Sequence, residues 1–179
     1  MTAPGQTVGP FFHLGLPFAG GNELAPTGGA DTIRLHGLVL DGAGDPVPDA
    51  VIELWQADPA GRVPRAPGSF HRDPWTFTGW GRTATDADGH YWFSTLEPGA
   101  TEPGRPPFFA LTVFARGLLD RLFTRAYLPT GESDPFLDGL AADRRATLIS
   151  AREERGLRFD IRLQGEGETV FLRYPRQAA

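Results

Sequence analysis

The sequence predicts an all-β protein: a single β-sandwich domain over residues 31–179, preceded by an N-terminal arm over residues 1–30, with little helix. Three observations predict it. From Thr32 onward, short runs rich in β-branched, aromatic and alternating apolar residues recur between clusters of Gly, Pro and Asp, which is the spacing of a sandwich. The 179 residues include 23 glycines and 17 prolines, enough turn-formers to reverse the chain after each run. The run from Phe108 to Ala115 has almost no polar residue, so it must be covered on both faces, as an inner strand is.

Taken in order, Met1 to Ala30 shows neither a helical nor an alternating pattern. Its Phe11, Phe12, Leu14, Leu16 and Phe18 are too many large apolar groups for a solvated tail, which favours an arm laid on another surface. Strands follow over Ile33–Leu40, Ala50–Ala57, Trp80–Ala84, His90–Thr95, Phe108–Ala115, Leu122–Leu128, Leu157–Leu163 and Thr169–Arg173. Turns lie at Asp41–Pro46, Asp86–Gly89 and Glu97–Gly99: Gly supplies positive φ, Pro fixes φ, and Asp bonds to nearby backbone. Pro106 and Pro107 keep a helix from starting before the central run, and Gly117 closes it, so Arg116 is delivered to the rim of the core on a rigid support. Only Asp138–Glu154 has room for a helix. Its second half, Thr147–Arg152, reads equally as a strand hairpinned through Glu154-Arg155-Gly156. Trp55 and Tyr91 read as core.

Composition narrows the function. A net charge of −5 disfavours nucleic acid and anionic membrane as partners. All 17 basic residues are arginine, so any anion contact has a bidentate option. Without cysteine there are no disulfides, thiolate metal sites or Cys nucleophiles. The N-terminus has no basic segment followed by an apolar one, and no apolar run nears the roughly 20 residues that span a bilayer, so a cytoplasmic location is expected. His13, His36, His71 and His90 form no H-x-H or H-x-x-x-H pair, and the carboxylates fall mainly in turns. No nucleophile-elbow, phosphate-loop or dinucleotide motif occurs. On its own residues the chain is poor in catalytic groups.

Three stretches carry a resemblance: Asp49 to Asp58 with its Glu-Leu-Trp-Gln-Ala run, Gly81 to Phe93 with its Asp-Gly-His-Tyr-Trp-Phe ending, and Leu96 to Gly99. Together with Gln6–His13, Phe114–Gly117 and Arg158–Phe171, they are similar to the intradiol ring-cleavage dioxygenases over nearly the whole length. The Asp-Gly and Pro-Gly turns are shared by many sandwich modules; the Glu-Leu-Trp-Gln-Ala run is the specific part.

The resemblance implies a metal-free alpha chain that pairs with an iron-bearing beta chain. In the family, ferric iron is held by two tyrosinates and two histidines. The histidine positions correspond here to Phe108 and Ala110, and the tyrosine positions to Val63 and approximately Thr101. None of these side chains is a ligand for Fe(III), so no metal and no catalytic residue is expected on this chain. The implied reaction opens the ring of protocatechuate between its hydroxyl-bearing carbons with O2, giving 3-carboxy-cis,cis-muconate. Thr7, Gly9, Pro10 and Arg116 then take the substrate-binding positions, reaching across the chain boundary. Arg116 has a second reading, a strand-end arginine in a structural ion pair, and Thr7 to Pro10 a second reading as a packing arm. Two other classes stay open: an exported, non-catalytic binding module, and a homomeric enzyme using the surviving His and Tyr residues.

Overall fold

The computed structural model describes residues 7, 9–65, 72–73 and 75–174. Gln6, Val8 and His71 lie outside the described residues. The elements are α1 (Phe12–Gly15), β1 (Thr32–Leu40), β2 (Val51–Trp55), β3 (Trp80–Ala84), β4 (His90–Leu96), β5 (Phe108–Phe114), β6 (Leu122–Tyr127), α2 (Pro135–Asp138), α3 (Ala142–Ala146), β7 (Ala151–Glu153), β8 (Gly156–Arg158) and β9 (Ile161–Arg162). They form two sheets. One runs β4-β1-β8-β7 with β9 also on β1, and the other runs β3-β2-β5-β6. Among the described residues no helix is long and apolar enough to cross a membrane.

Alternation along the strands builds the core. Leu35 and Val39 of β1, Tyr91 and Phe93 of β4, and Leu157 and Ile161 meet Ile52, Leu54, Phe109, Leu111, Val113 and Ala126 of the second sheet. Gln56, just past β2, ties the two sheets together. Its Nε2 donates to the Leu96 carbonyl at 2.8 Å, and Thr95 Oγ1 donates to its Oε1 at 2.5 Å. A buried amide satisfied at both ends is what the interior requires.

The predicted strand Leu157–Leu163 is two strands, because the chain kinks at Phe159-Asp160. Asp160 Oδ1 accepts from the Leu38 amide at 3.0 Å, and the Phe159 carbonyl turns inward to accept from the Tyr91 hydroxyl at 2.6 Å. Burial pushes the Tyr91 phenol far above its ordinary pKa, so it stays a donor. Gly37 makes the kink possible, since a Cβ there would lie 1.9 Å from the Phe159 oxygen.

Thr169–Arg173 is not a strand. Thr169 bonds to Arg162 of β9, whereas Leu172 donates to Phe123 of β6. The segment therefore crosses between the sheets instead of running along one. Over Asp138–Glu154 the helix reading holds only for the short α3, and the hairpin reading holds from residue 151: Glu153 pairs with Gly156 across the Glu154-Arg155 turn. Two short helices precede it, the first capped by Asp134, whose Oδ1 accepts from the Phe136 and Leu137 amides at 2.9 Å.

The arm has two parts. Residues 18–25 belong to their own sandwich: Phe18 stacks on Trp80 at 5.7 Å, the Ser94 and Arg82 amides donate to the Asn22 and Gly21 carbonyls at 2.8 Å, and Leu24 enters the core. Ahead of them, α1 is a single turn that the Gly/Pro-rich sequence does not suggest. It buries Phe12 and leaves Phe11 73% and Leu14 69% exposed.

Candidate functional site

The second sheet turns its outer face to a pocket. One row of cross-strand neighbours runs Trp80, Trp55, Ala110, Arg125 across β3, β2, β5 and β6. Two loops wall in the Trp55-Ala110 end. One begins at Asp58, whose Oδ1 accepts from the Ala60 and Arg62 amides at 2.9 Å. The Arg62 amide, opposed by desolvation and aided by the Arg62 guanidinium and the Ala60 amide, holds the Asp58 carboxyl below its usual range. The other loop is Gly99–Thr101, and the Gly99 amide donates to the Asp58 carbonyl at 2.9 Å. Gly61 and Gly99 permit this contact: a Cβ on Gly61 would sit 2.1 Å from the Ala100 oxygen, and one on Gly99 2.4 Å from the Pro59 oxygen. The resulting cavity of about 170 Å³ is lined by Trp55, Val63, Thr101, Phe108 and Ala110, among others.

All four positions that the resemblance assigns to iron ligands converge on this cavity: Val63, Thr101, Phe108 and Ala110. They do not fit ferric iron, which needs hard anionic oxygen and imidazole donors. Three offer no donor atom and Thr101 offers only a neutral hydroxyl. Among the described residues, no group of three or more His, Cys, Asp or Glu is placed to hold a metal. Phe108 fills its position. The Arg125 guanidinium lies 4.2 Å from its ring centroid, and Tyr127 packs beside it at 5.4 Å. Arg125 also donates to the Tyr127 hydroxyl at 3.0 Å, and burial pushes that phenol's pKa up.

The pocket corrects two readings. Trp55 is not core: it is 49% exposed and lines the cavity, because the alternation of β2 puts Leu54 inside and Trp55 out. The apolar run of β5 is likewise not core on both faces. Phe109, Leu111 and Val113 point inward, whereas Phe108 and Ala110 face the cavity. Tyr91 is core as read, fully buried.

Arg116 follows β5 at the end opposite the pocket. Its Nε lies 2.6 Å from Asp49 Oδ2; the Asp49 side chain is 8% exposed and that of Arg116 is 63% exposed. A nearly buried carboxylate thus grips one edge of the guanidinium and leaves its other edge toward solvent. Thr7 and Pro10 are exposed and Gly9 is half-buried. Gly9 has φ +79°, and no atom comes within 4 Å of where its Cβ would be. The glycine is needed there for its left-handed backbone, with no approach from its own chain. Arg116 and this segment are not brought together with the four pocket positions into one site.

Two positioning residues escaped the sequence reading. Asp49 sits far from Arg116 in the chain and nothing in the spacing links them. Arg82 donates to Glu53 Oε1 from both Nε (3.0 Å) and Nη2 (2.5 Å), and its Nη1 donates to the Leu16 carbonyl at 3.0 Å. It thereby ties α1's exit to the sheet. The signal for Arg82 was present in part, since Glu53 belongs to the same specific run as Trp55 and Gln56.

A family model described as Dioxygenase matches residues 9–165. Among curated relatives, the protocatechuate 3,4-dioxygenase alpha chain of Burkholderia cepacia is 38% identical, covering 94% of this chain and 95% of the relative. The beta chain of the same enzyme from that organism is 35% identical over 80% of this chain and 68% of its own length. Among solved structures, a dioxygenase domain from Streptomyces sp. SirexAA-E superposes with a TM-score of 0.59 at 26% identity, covering 92% of this chain and 99% of that one. A match of this extent to dioxygenase chains is not expected of an unrelated sandwich binding module. The chain belongs to the intradiol ring-cleavage dioxygenase family.

Proposed function

We propose that this chain is the metal-free alpha subunit of a protocatechuate 3,4-dioxygenase, acting in the cytoplasm as one half of a hetero-oligomer. The observation that carries the proposal is the convergence of Val63, Thr101, Phe108 and Ala110 on one cavity whose wall loops are intact and whose ligand positions are apolar or neutral. A scaffold kept with its donors replaced serves by completing another chain's site. Fe(III) is then held by the homologous beta chain. The assembled enzyme cleaves protocatechuate with O2 to 3-carboxy-cis,cis-muconate, and no nucleic acid or membrane is involved.

This chain's own contribution is positioning. Thr7, Gly9 and Pro10 lie at the mouth of the partner's pocket, and Arg116, steadied by Asp49, presents its free guanidinium edge to the substrate carboxylate or to the groups that shape its pocket. Purified alone, the chain is expected to be colourless, to hold no stoichiometric ferric iron and to be inactive. Co-expressed with an iron-bearing chain, it is expected to co-purify with it and with ring-cleaving activity. Iron and a visible tyrosinate-to-iron band in the isolated chain would overturn the reading.

Phe11 and Phe12 separate the arm's two jobs. Because Phe11 is exposed and Phe12 buried, Phe11→Ala is expected to weaken association with the beta chain about tenfold, with the isolated chain's melting point unchanged. Phe12→Ala is expected to lower that melting point. Measuring both quantities for both variants checks this; equal association for wild type and Phe11→Ala refutes the docking role.

A further inference from the structure

We propose that a cleft on the outer face of the first sheet, far in the fold from the cavity described above, binds a small aromatic carboxylate. The cleft has a volume of about 480 Å³, and its walls include Thr32, Ile33, Arg34, Trp92, Ser94 and Arg155. That is ample for a single-ring ligand. Its lining holds two guanidiniums and no carboxylate, in a chain of net charge −5. Among the described residues neither Arg34 nor Arg155 takes part in an ion pair, whereas exposed Arg62, Arg105, Arg116, Arg152 and Arg158 do.

The backbone brings the two arginine residues side by side. The Arg34 amide donates to the Arg155 carbonyl at 3.1 Å. The β7–β8 turn lies this close to β1 because the next residue is Gly156, where a Cβ would be 2.0 Å from the Arg34 oxygen. Arg34 also has its guanidinium carbon 5.2 Å from the Trp92 ring centroid, which holds the planar group against a planar wall. The opposite wall, Pro26–Thr32, is fixed by hydrogen bonds from the Gly29 amide and the Thr32 hydroxyl to the Pro26 carbonyl at 3.2 and 3.0 Å. Arg34 and Arg155 both line the cleft, and a carboxylate matches the forked donors of an arginine. Trp92 and Ile33 supply the apolar surface that favours an aromatic ring over a bare ion.

The test uses the full-length chain and benzoate as the probe, read by calorimetry and by chemical-shift mapping. Benzoate is expected to bind at one site and shift the amides of Arg34, Trp92 and Arg155. Arg155→Gln and Arg34→Gln are each expected to weaken it at least tenfold, and benzyl alcohol and sulfate to bind at least tenfold more weakly than benzoate. Arg155 lies on a turn, so its variant keeps the test valid even where Arg34→Gln fails to fold. Absence of benzoate binding, equal binding by the Arg155 variant, or sulfate as good as benzoate would each overturn the proposal. So would a complex with the iron-bearing chain in which Arg155→Gln disrupts assembly and benzoate no longer binds, since a neighbouring chain's acidic side chain would then own the cleft.

Discussion

Arg116→Ala in the assembled enzyme is expected to lower kcat/KM for protocatechuate by about 10- to 100-fold while the beta chain keeps its full iron content. The size follows from losing a charge-assisted contact, about 1.5–3 kcal/mol, at a little under 1.4 kcal/mol per tenfold change. Asp49 grips the Nε edge, so Arg116→Lys, which keeps the charge but lacks the fork, is expected to recover only part of the activity. A catechol without a carboxylate separates direct contact from pocket shaping. If Arg116 meets the substrate carboxylate, the variant barely changes turnover of that catechol; if it shapes the pocket, both substrates suffer. Unchanged kinetics for protocatechuate in a fully assembled, iron-replete variant would leave only the ion pair with Asp49.

Gly37→Ala is expected to destabilise the chain by about 3–4 kcal/mol, at the severe end for single substitutions. The added Cβ would stand 1.9 Å from the Phe159 carbonyl, and backbone on both sides must move. That movement also strains the Tyr91–Phe159 hydrogen bond that fixes the β8–β9 kink. For a chain of this length the melting point should fall by roughly 6–16 °C. Gly15→Ala is the matched control. Nothing lies within 4 Å of its Cβ position, so alanine there should be neutral or slightly stabilising. Similar melting points for wild type and Gly37→Ala would refute the packing argument.

The sequence disclosed β1 to β4 and β6 through inward residues that alternate, because a half-buried ladder leaves a period of two in the residues themselves, and β5 through its unbroken apolar run. It did not disclose where a strand breaks for the sake of a distant partner. The kink at Phe159-Asp160 depends on Gly37 and Tyr91, and the crossing of Thr169–Leu172 depends on Arg162 and Phe123; neither is a local property. The β5 run shows the same limit at the site. Apolar residues on both faces of a strand mean cover on both faces, but residue type alone cannot separate a core from a cavity lined with hydrocarbon. Only the correspondence with a metal-binding relative marked Phe108 and Ala110 as cavity positions. Trp55 was misread for the same reason, since a tryptophan between Leu54 and Gln56 carries no mark of which way it points. The residues of its run divide the work among them, for Glu53 holds Arg82, Leu54 fills the core, Trp55 walls the cavity and Gln56 joins the sheets. That division explains why so short a run is so specific.

The loops around the cavity are tied to each other by Asp58, Gly61 and Gly99, and among the described residues no hydrogen bond between them involves a side chain at the four ligand positions. In many metalloproteins the free energy of ion binding is part of the free energy of folding, and a chelator melts the fold. Here the ties between the cavity loops run through backbone and the Asp58 carboxylate instead. A scaffold whose loops hold their shape through their own backbone loses little stability when a ligand residue changes, so such changes can accumulate one at a time without passing through an unfolded ancestor. The hydrogen bonds that frame the cavity would thus make the loss of a ligand residue survivable.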